Sequence, residues 1–332
     1  MLISLGPVIH AANHSQRFNL GQINPACLSG AANYATVSIR IATLFSSAQL
    51  ARQCLPMSTP QHTTQTIAFV GGGNMASAIL GGLIQQGAPA HQILVLEPFD
   101  EVRKQLEVKF HIRTLAHASD ALQEAGLVIW AIKPQVFKEA AQATSPFCQQ
   151  ALHLSVAAGI RSDSIANWLG TERVVRAMPN TPALVGLGQT GLFARSSVNA
   201  ADQAWIEHVV ATTGQYLWVK DEPLLDAVTA ISGSGPAYVF FFIEAMVEAG
   251  VKMGLTQAQA HQLAVGTFVG ASELARSSDE SPTVLRERVT SKGGTTYAAI
   301  TAMQEAKLQA LFQAALESAR TRAQELGDAF GV

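Results

Sequence analysis

Five short apolar segments, separated by stretches of helix length, constrain the fold of this chain more than any other feature of its sequence. They are residues 66–70, 93–96, 127–132, 152–159 and 173–178. Near-continuous apolar runs are typical of parallel strands that are buried on both faces. Such strands, alternating with helices, indicate βαβ units and a mostly parallel sheet. The sequence therefore predicts an α/β domain with a doubly wound sheet, closed by a last pair of strands at residues 188–194 and 215–219.

The first of these strands runs directly into a glycine-rich turn followed by an amphipathic helix. Gly71, Gly73 and Ala76 have the spacing GxGxxA. The first glycine permits a tight turn, the second lets the backbone approach a pyrophosphate, and the small third residue lets helix and strand pack closely. Because a strand precedes this turn and a helix follows it, we interpret it as a dinucleotide-binding turn. The alternative is a plain glycine-rich connector.

Glu97 ends the second strand, roughly 20 residues beyond the glycine turn, where the dinucleotide fingerprint places an acid. An acid there binds the adenosine ribose hydroxyls and favours NAD over NADP. Arg103 and Lys104 follow, however, and could meet a 2′-phosphate. All three could also be solvated surface charges, so the sequence leaves the choice of cofactor open.

Several residues follow the later strands and are expected to share one crevice, because ligands bind beyond the carboxyl ends of parallel strands. They are Lys133, Pro134, Ala157, Ala158 and Asn180. Lys133 could contact a cofactor or be a plain strand-end charge. Asn180 could touch a nicotinamide or cap the turn at Pro179.

From Leu224 onward the pattern is helical only. Ser232 and Ser234 are expected to cap a helix that has Pro236 near its first position. Residues 239–253 are apolar on nearly every face, which predicts burial on all sides. About 100 residues of such helix exceed what one small bundle buries, and only 14% of the whole chain is charged. We therefore predict a dinucleotide-binding domain at residues 63–220 and an all-helical dimerisation domain at residues 221–328.

The segment Ser291–Thr296 places two glycines and several hydroxyls before a predicted long helix that runs to Leu316. A helix N-terminus has unpaired backbone N–H groups and the positive end of the helix dipole, so it is suited to an anion. An ordinary cap on a surface helix is the alternative.

Composition and spacing exclude several other classes of protein. A net charge of −2 without a basic block gives no electrostatic case for nucleic acid. Cys27, Cys54 and Cys148 have no CxxC spacing and the histidines no HExxH spacing, so no metal site is predicted. The most apolar segment, residues 238–243, is followed by Glu244 and Glu248, which argues against a membrane span.

Residues 1–62 differ from the remainder because they contain no Asp or Glu and several spaced arginines. Such a composition resembles an organelle transit peptide. We favour a second interpretation, in which Met57 is the functional start and the protein is cytoplasmic. In either case we expect this extension to be poorly ordered and to have no role in chemistry.

A set of motifs, met in order along residues 66–326, resembles the pyrroline-5-carboxylate reductase family. The motifs are GGGNM at 71–75, AIKP at 131–134, SVAAG at 155–159, MPNTP at 178–182, SGSGPAY at 232–238 and SKGGTT at 291–296. The last two are highly specific, whereas the first is shared with many dehydrogenases. The family reduces the cyclic imine 1-pyrroline-5-carboxylate to L-proline with NADPH or NADH, the last step of proline biosynthesis. The resemblance implies a Rossmann-type domain followed by an interleaved helical dimerisation domain, often assembled into a decamer.

The resemblance also implies site residues by motif match. The implied cofactor contacts are Gly71, Gly73, Asn74, Met75, Glu97, Ile132, Lys133 and Ala158. The implied substrate contacts are Glu222, Ser291, Gly294, Thr295 and Thr296, with the SKGGTT segment acting on the partner subunit's nicotinamide. Glu97 stands where some relatives have a small hydroxyl residue, and Arg288 where some have Asn, which leaves the preference for NADPH open. An exposed acid at a helix start is the alternative role of Glu222.

Imine reduction needs a hydride at carbon and a hydrogen-bonded or protonated nitrogen, but no strong base. Thr296 is therefore the candidate donor to the ring nitrogen, either as a proton donor or as an orienting group. We expect the substrate carboxylate to be held by the N–H groups of residues 294–296 and the Ser291 hydroxyl.

Two other function classes fit parts of the sequence. A hydroxyacid dehydrogenase of similar build would need a general base, and Lys252, Lys292 and His261 are its candidates. A dinucleotide-sensing oligomer without catalysis would bind NADPH and turn over no imine. The SKGGTT segment argues against a sensor, which needs no anion cradle beside its cofactor.

Overall fold

The computed structural model describes residues 65–330. The expectations for residues 1–62 lie outside the described residues. Within the described part, a sheet with helices on both faces occupies the first half, and only helices follow the last strand.

The sheet has eight strands in the order β3-β2-β1-β4-β5-β6-β7-β8. The strands are β1 Thr66–Val70, β2 Ile93–Leu96, β3 Arg113–Leu115, β4 Ala125–Trp130, β5 Leu152–Ser155, β6 Val174–Met178, β7 Gly188–Ala194 and β8 Gly214–Trp218. All neighbours pair in parallel except β6 and β7. The order reverses between β1 and β4, which is the switch point where such sheets bind ligands. The predicted doubly wound sheet is confirmed.

Five helices cover the two faces of this sheet. They are α1 Asn74–Gln85, α2 Asp100–Phe110, α3 Pro134–Thr144, α4 Ser162–Leu169 and α5 Ala200–Ala211. Successive residues of β1 alternate between two apolar cores: Ile67 and Phe69 face one, and Ala68 and Val70 face the other. This arrangement explains why the strand is apolar at every position.

The helical half begins at Leu224. Its helices are α6 Leu224–Val228, α7 Gly235–Lys252, α8 Gln257–Ser277, α9 Pro282–Arg288, α10 Thr295–Glu305 and α11 Leu308–Phe330, with a π-helical turn at Thr229–Gly233 between the first two. Pro236 lies in the first turn of α7, as predicted. The expected serine caps are wrong, because Ser234 makes no capping hydrogen bond and the Ser232 hydroxyl donates to the carbonyl of Val228.

The single long helix predicted after Thr296 is two helices. Lys307 separates α10 from α11 and has a left-handed backbone, with φ of +55°. The amide of Lys307 bonds to the carbonyl of Gln304, and the amide of Leu311 bonds to the carbonyl of Lys307. No Gly or Pro lies at this break, and the helical pattern of apolar residues continues across it. The sequence therefore predicted one helix where the structure has two.

The prediction that α7 is buried on all sides is wrong for a single chain. Phe240 is 64% exposed and Phe241 is 66% exposed, while Val247 and Gly250 are the buried residues of this helix. By length and composition alone the stretch Leu224–Lys252 would also suffice to cross a membrane, with 11% of its apolar window buried. The exposed face of α7 therefore requires either a protein partner or lipid to cover it.

Candidate active site

The glycine turn between β1 and α1 is built to bring backbone close to a ligand. Gly71 has φ of +96°, and a Cβ atom there would lie 2.6 Å from both the carbonyl oxygen of Ala131 and Cγ2 of Ile132. A Cβ atom on Gly73 would meet nothing within 4 Å. Ala76 is fully buried, which allows α1 to approach the sheet. The turn thus combines a first glycine that has a positive φ and no room for a Cβ atom with open space at the second.

The N-terminus of α1 has no internal anion. Gly73 is its N-cap and makes no side-chain cap, and no acidic residue lies in the first turn. The first N–H groups, which belong to Asn74 and Met75, have no acceptor within the helix. Asn74 is exposed and Met75 half-buried. These features fit a dinucleotide pyrophosphate placed over the turn.

The structure places Glu97 at the end of β2 beside the glycine turn. Its Oε2 accepts a hydrogen bond of 2.9 Å from the amide of Gly72, and its Oε1 accepts one of 3.1 Å from the amide of Phe99. Glu97 is only 6% exposed. It is therefore no solvated surface charge, and its carboxylate is fixed at the edge of the turn.

Arg103 and Lys104 both pair with a neighbouring acid. Arg103 donates to the carbonyls of Glu97 and Pro98 and to the Asp100 carboxylate, at 2.9, 2.8 and 3.0 Å. Lys104 Nζ lies 2.7 Å from the other oxygen of Asp100. Asp100 thus pairs with both cations, one through each oxygen of its carboxylate.

Residues that were predicted to line one crevice lie at the carboxyl ends of neighbouring strands. Ile132 is half-buried against Gly71, and Lys133 is exposed at the start of α3. Ala158 is half-buried in the turn that follows β5. Because β1, β4 and β5 are neighbours in the sheet, these residues share one edge with the glycine turn.

Asn180 links the sheet to the helical half. Its amide nitrogen donates to the carbonyl of Ser232 at 3.0 Å, and its Oδ1 accepts from the amide of Gln189 at 2.9 Å. It makes no side-chain cap for the turn that it precedes. The side chain thus positions the SGSG segment beside the end of β6.

Glu222 is the centre of a buried polar network that the sequence did not predict. Its carboxylate accepts 2.6 Å bonds from the amide and the hydroxyl of Ser162 and from the guanidinium of Arg176. The Arg176 side chain is 7% exposed and that of Glu222 is 16% exposed. The alternative of an exposed helix acid is therefore wrong. The signal that could have found this network is Arg176 itself, a charge in the middle of an otherwise apolar strand.

Asp226 lies one helical turn beyond Glu222 and is also buried. Its Oδ2 has no hydrogen-bond partner among the described residues. Burial raises the pKa of the Asp226 carboxyl, while nearby Arg161 and Arg176 act to lower it. Arg161 in turn pairs with Asp328 of α11 at 2.9 Å. The network thus joins β6, α4 and both ends of the helical half.

The segment Ser291–Thr296 forms the predicted turn before a helix. Gly293 has φ of +77°, and the amide of Gly294 bonds to the carbonyl of Ser291 at 3.0 Å. Gly294 is the N-cap of α10, which has no side-chain cap and no acid in its first turn. Thr296 is half-buried. Within residues 65–330, no hydrogen bond or ion pair joins this segment to the dinucleotide domain.

No cluster of three or more potential metal ligands occurs among the residues that the structure describes. The helix starts at Gly73 and Gly294 are among those that have neither a side-chain cap nor an acid in the first turn, and the second lies beside the hydroxyls of Ser291 and Thr296.

Two family models match separate parts of the chain. Residues 66–159 match the model described as NADP oxidoreductase, coenzyme F420-dependent. Residues 222–326 match the model described as pyrroline-5-carboxylate reductase dimerisation.

Individual relatives extend these matches to the whole described chain. Pyrroline-5-carboxylate reductase of Pseudomonas aeruginosa is 43% identical over 277 residues, which are 83% of this chain and 100% of the relative. The pyrroline-5-carboxylate reductase structure from Coxiella burnetii has a TM-score of 0.75 and 36% identity, and covers 79% of this chain and 98% of its own. The NADP-bound pyrroline carboxylate reductase structure from Plasmodium falciparum has a TM-score of 0.72 and 25% identity, and the match covers 80% of this chain and 99% of that one.

One relative is matched over its full length, and the two family models match residues 66–159 and 222–326. The chain belongs to the pyrroline-5-carboxylate reductase family.

Proposed function

We propose that this protein reduces 1-pyrroline-5-carboxylate to L-proline, the last step of proline biosynthesis, by hydride transfer to the imine carbon. The observation that carries the proposal is the combination of two glycine-containing turns, each followed by a helix start that has no side-chain cap and no acid in its first turn. One follows the glycine turn of a dinucleotide domain, and the other follows the hydroxyl-rich SKGGTT segment. An anionic cofactor and an anionic substrate each need such a site.

The residues present fit a nicotinamide dinucleotide. Gly71 is packed against Ala131 and Ile132, so only glycine suits the turn, while the space above Gly73 is open. NADPH is the reductant that the NADP oxidoreductase match supports, with NADH as the alternative. When bound, the nicotinamide would supply the hydride. The pyrophosphate would be held by the glycine turn and the start of α1, at Gly71, Gly73, Asn74 and Met75. The rest of the dinucleotide would contact Glu97, Ile132, Lys133 and Ala158.

The SKGGTT segment would bind and orient the substrate. The amides of Gly294, Thr295 and Thr296 and the Ser291 hydroxyl would hold the carboxylate at the start of α10. The Thr296 hydroxyl would donate to the ring nitrogen, which favours the electron-poor imine carbon that accepts hydride. Positioning and hydrogen bonding then supply the rate, and no strong base is required.

Glu222 belongs to the substrate side of this site in our proposal. Its carboxylate already accepts three hydrogen bonds, so its contribution is to hold Ser162 and Arg176 in place beside the turn that contains Ala158. A direct contact with substrate would use the lone pairs that these bonds leave free.

The hydroxyacid dehydrogenase alternative is not favoured. The relatives reported above are pyrroline-5-carboxylate reductases. Its three candidate bases, Lys252, His261 and Lys292, are all exposed on the helical half.

The dimerisation model that matches residues 222–326 supports self-association. We propose that a second copy covers the exposed face of α7, so that no membrane is needed. In this dimer the Ser291–Thr296 segment of one subunit completes the site of its partner, and dimers assemble further into a decamer. We also propose a dinucleotide-binding domain at residues 63–220 and a dimerisation domain at residues 221–328. The proposed location is the cytoplasm, with an organelle as the alternative if residues 1–62 are a transit peptide.

The test of the function is oxidation of NADPH and of NADH by protein begun at Met57, with 1-pyrroline-5-carboxylate as the substrate. We expect turnover with at least one dinucleotide, and formation of proline. Dinucleotide binding without turnover would instead support the non-catalytic sensor.

Mixing of two impaired variants tests the arrangement across the dimer. Gly71→Val disables the cofactor turn, and Thr296→Ala disables the donor. If the segment acts on the partner's site, randomly mixed dimers recover about one quarter of wild-type activity, since half are heterodimers with one intact site each. If each chain serves its own site, mixing restores nothing.

A further inference from the structure

The last turn of α11, residues 326–330, lies against the turn that follows β5, residues 156–161. A Cβ atom on Gly159 would lie 3.0 Å from Cβ of Leu326 and 3.5 Å from the ring of Phe330. Phe330 also packs against the apolar core that contains Ile160, which is fully buried. The end of α11 therefore forms one wall of the turn that contains Ala158.

A glycine on each side permits this close approach. Gly159 has φ of +74°, a conformation that suits glycine. Gly327 is buried, and a Cβ atom there would lie 3.1 Å from both Cζ and Nη2 of Arg161. Interiors are close-packed, so a methyl group added at either position must displace its neighbour.

Arg161 ties the same turn to α11 by charge. Its guanidinium donates to the Asp328 carboxylate at 2.9 Å, across 167 positions of the chain. This hydrogen bond, together with the charges of Asp226 and Glu222, raises the pKa of Arg161 against the opposing effect of its partial burial. Arg161 is therefore a cation held between the start of the helical half and its last turn.

The turn depends on these contacts because its own backbone holds it weakly. Within residues 65–330, the amides of residues 158–161 donate no hydrogen bond. The side chain of Ile160 anchors the turn from below, and the end of α11 supports it from the other side.

The position of this turn in the sheet relates it to one half of the dinucleotide. Strand β5 lies on the opposite side of β1 from β2. Because the end of β2 faces the adenosine ribose, the turn after β5 lies toward the nicotinamide half. A shift of Ala158 should therefore affect the nicotinamide half and leave the adenosine half in place.

We infer that the end of α11 positions the cofactor turn, so that Gly327, Asp328 and Arg161 determine how tightly the nicotinamide half of the dinucleotide is held. The inference deepens the proposed function and rests on it, since it concerns the same cofactor crevice. The three residues act through the turn that contains Ala158, and they are positioning residues.

Binding of two ligands separates positioning from a general loss of structure. NADPH has both halves of the dinucleotide, whereas ADP-ribose 2′-phosphate lacks the nicotinamide. Dissociation constants for both are measured by calorimetry on wild-type protein, Gly327→Ala and Arg161→Gln, and urea unfolding is followed on the same samples. Gly327→Ala displaces the Arg161 guanidinium although alanine favours helix more than glycine does. We expect each variant to bind NADPH about fivefold more weakly, the scale of a partly exposed ion pair, and to bind the fragment as wild-type protein does.

Two control variants match these substitutions. Gly81→Ala adds the same methyl group within α1, at an ordinary distance of 3.5 Å from the ring of Phe110. Arg322→Gln removes an arginine of α11 that pairs with Glu325 at 2.7 Å and is 66% exposed. We expect both control variants to bind both ligands as wild-type protein does.

Three results would overturn the inference: unchanged NADPH binding in Gly327→Ala and Arg161→Gln, equal losses for NADPH and for the fragment, or equal losses in the control variants. Absence of NADPH binding by the wild-type protein would refute the proposed function as well. Binding of NADPH without reduction of the imine would refute the proposed function alone, because the comparison of the two ligands needs no turnover.

Discussion

Replacement of Glu222 by Ala should destabilise this protein far more than an ordinary surface substitution. The mutation removes the carboxylate that pairs with Arg176 at 2.6 Å, and Arg176 is 7% exposed. Removal of one partner of a buried pair leaves an uncompensated charge, which costs about 3–5 kcal/mol. The amide and hydroxyl of Ser162 also lose their acceptor at the start of α4, where the N-cap residue Arg161 makes no side-chain cap of its own.

Glu172 provides the matched control. It pairs with Arg195 at the same distance of 2.6 Å, but the Glu172 side chain is 54% exposed. Removal of an exposed pair costs about 0–1 kcal/mol because water solvates the charges that remain. Distance and charge types are equal, so the two substitutions differ in the burial of the pair and in the two hydrogen bonds from Ser162 that only Glu222 accepts.

The assay is urea unfolding at neutral pH, followed by circular dichroism, for wild-type protein, Glu222→Ala and Glu172→Ala. Titration with dinucleotide and the KM for the imine are measured on the same samples. We expect a loss of about 3 kcal/mol or more for Glu222→Ala, and a KM for imine that rises more than the dissociation constant of the dinucleotide. Equal stability losses for the two variants would refute the claim that the Arg176–Glu222–Ser162 network is a buried support of the site.

Three further predictions concern other parts of the molecule. Thr296→Ala should lower kcat, by about 10²-fold or less if the hydroxyl only orients the imine, because acid–base assistance is worth ~10²–10⁴-fold. Thr301→Ala, on the same helix, is the control variant. Turnover in Thr296→Ala equal to that of the control would contradict the role of Thr296. Burial lowers the pKa of His153 to about 4 from an ordinary 6.5. As the pH falls, the unfolded chain therefore takes up this proton before the folded protein does. About 3 kcal/mol of stability that is present above pH 6.5 should be lost as the pH falls from there through 4. Urea unfolding across this range should show that the free energy of unfolding falls less steeply with pH in His153→Gln than in wild-type protein. Gly71→Ala should weaken dinucleotide binding at least ~10-fold because its Cβ would lie 2.6 Å from Ala131 and Ile132; Gly87→Ala, at a similar φ of +95° but in open space, should bind normally in the same titration.

Features that depend on local sequence were predicted well. The apolar strands, the turn at Gly71 and the acid at the end of β2 each follow from periodicity or from the needs of a short turn. Strand β3 was missed because Arg113–Leu115 is a three-residue edge strand without an apolar run. The break at Lys307 was missed because the apolar pattern is uninterrupted there.

Features that depend on long-range partners were not predictable. Glu222 and Ser162 are 60 positions apart in the chain, and Glu222 and Arg176 are 46 apart. Arg176 in an apolar strand indicates that a buried partner is needed, but nothing in the sequence indicates that Glu222 is that partner. The same limit applies to Asp100, whose ability to pair with both Arg103 and Lys104 depends on side-chain geometry at the start of α2.

The most direct test of the central claim follows the hydride itself. NADH and NADPH, each deuterated at the transferred position of the nicotinamide, are incubated with the protein and 1-pyrroline-5-carboxylate, and the proline is analysed by mass spectrometry and NMR. We expect L-proline with one deuterium at the former imine carbon, in an amount equal to the dinucleotide consumed. Consumption of dinucleotide without deuterium at that carbon, or no reaction with either dinucleotide, would contradict it.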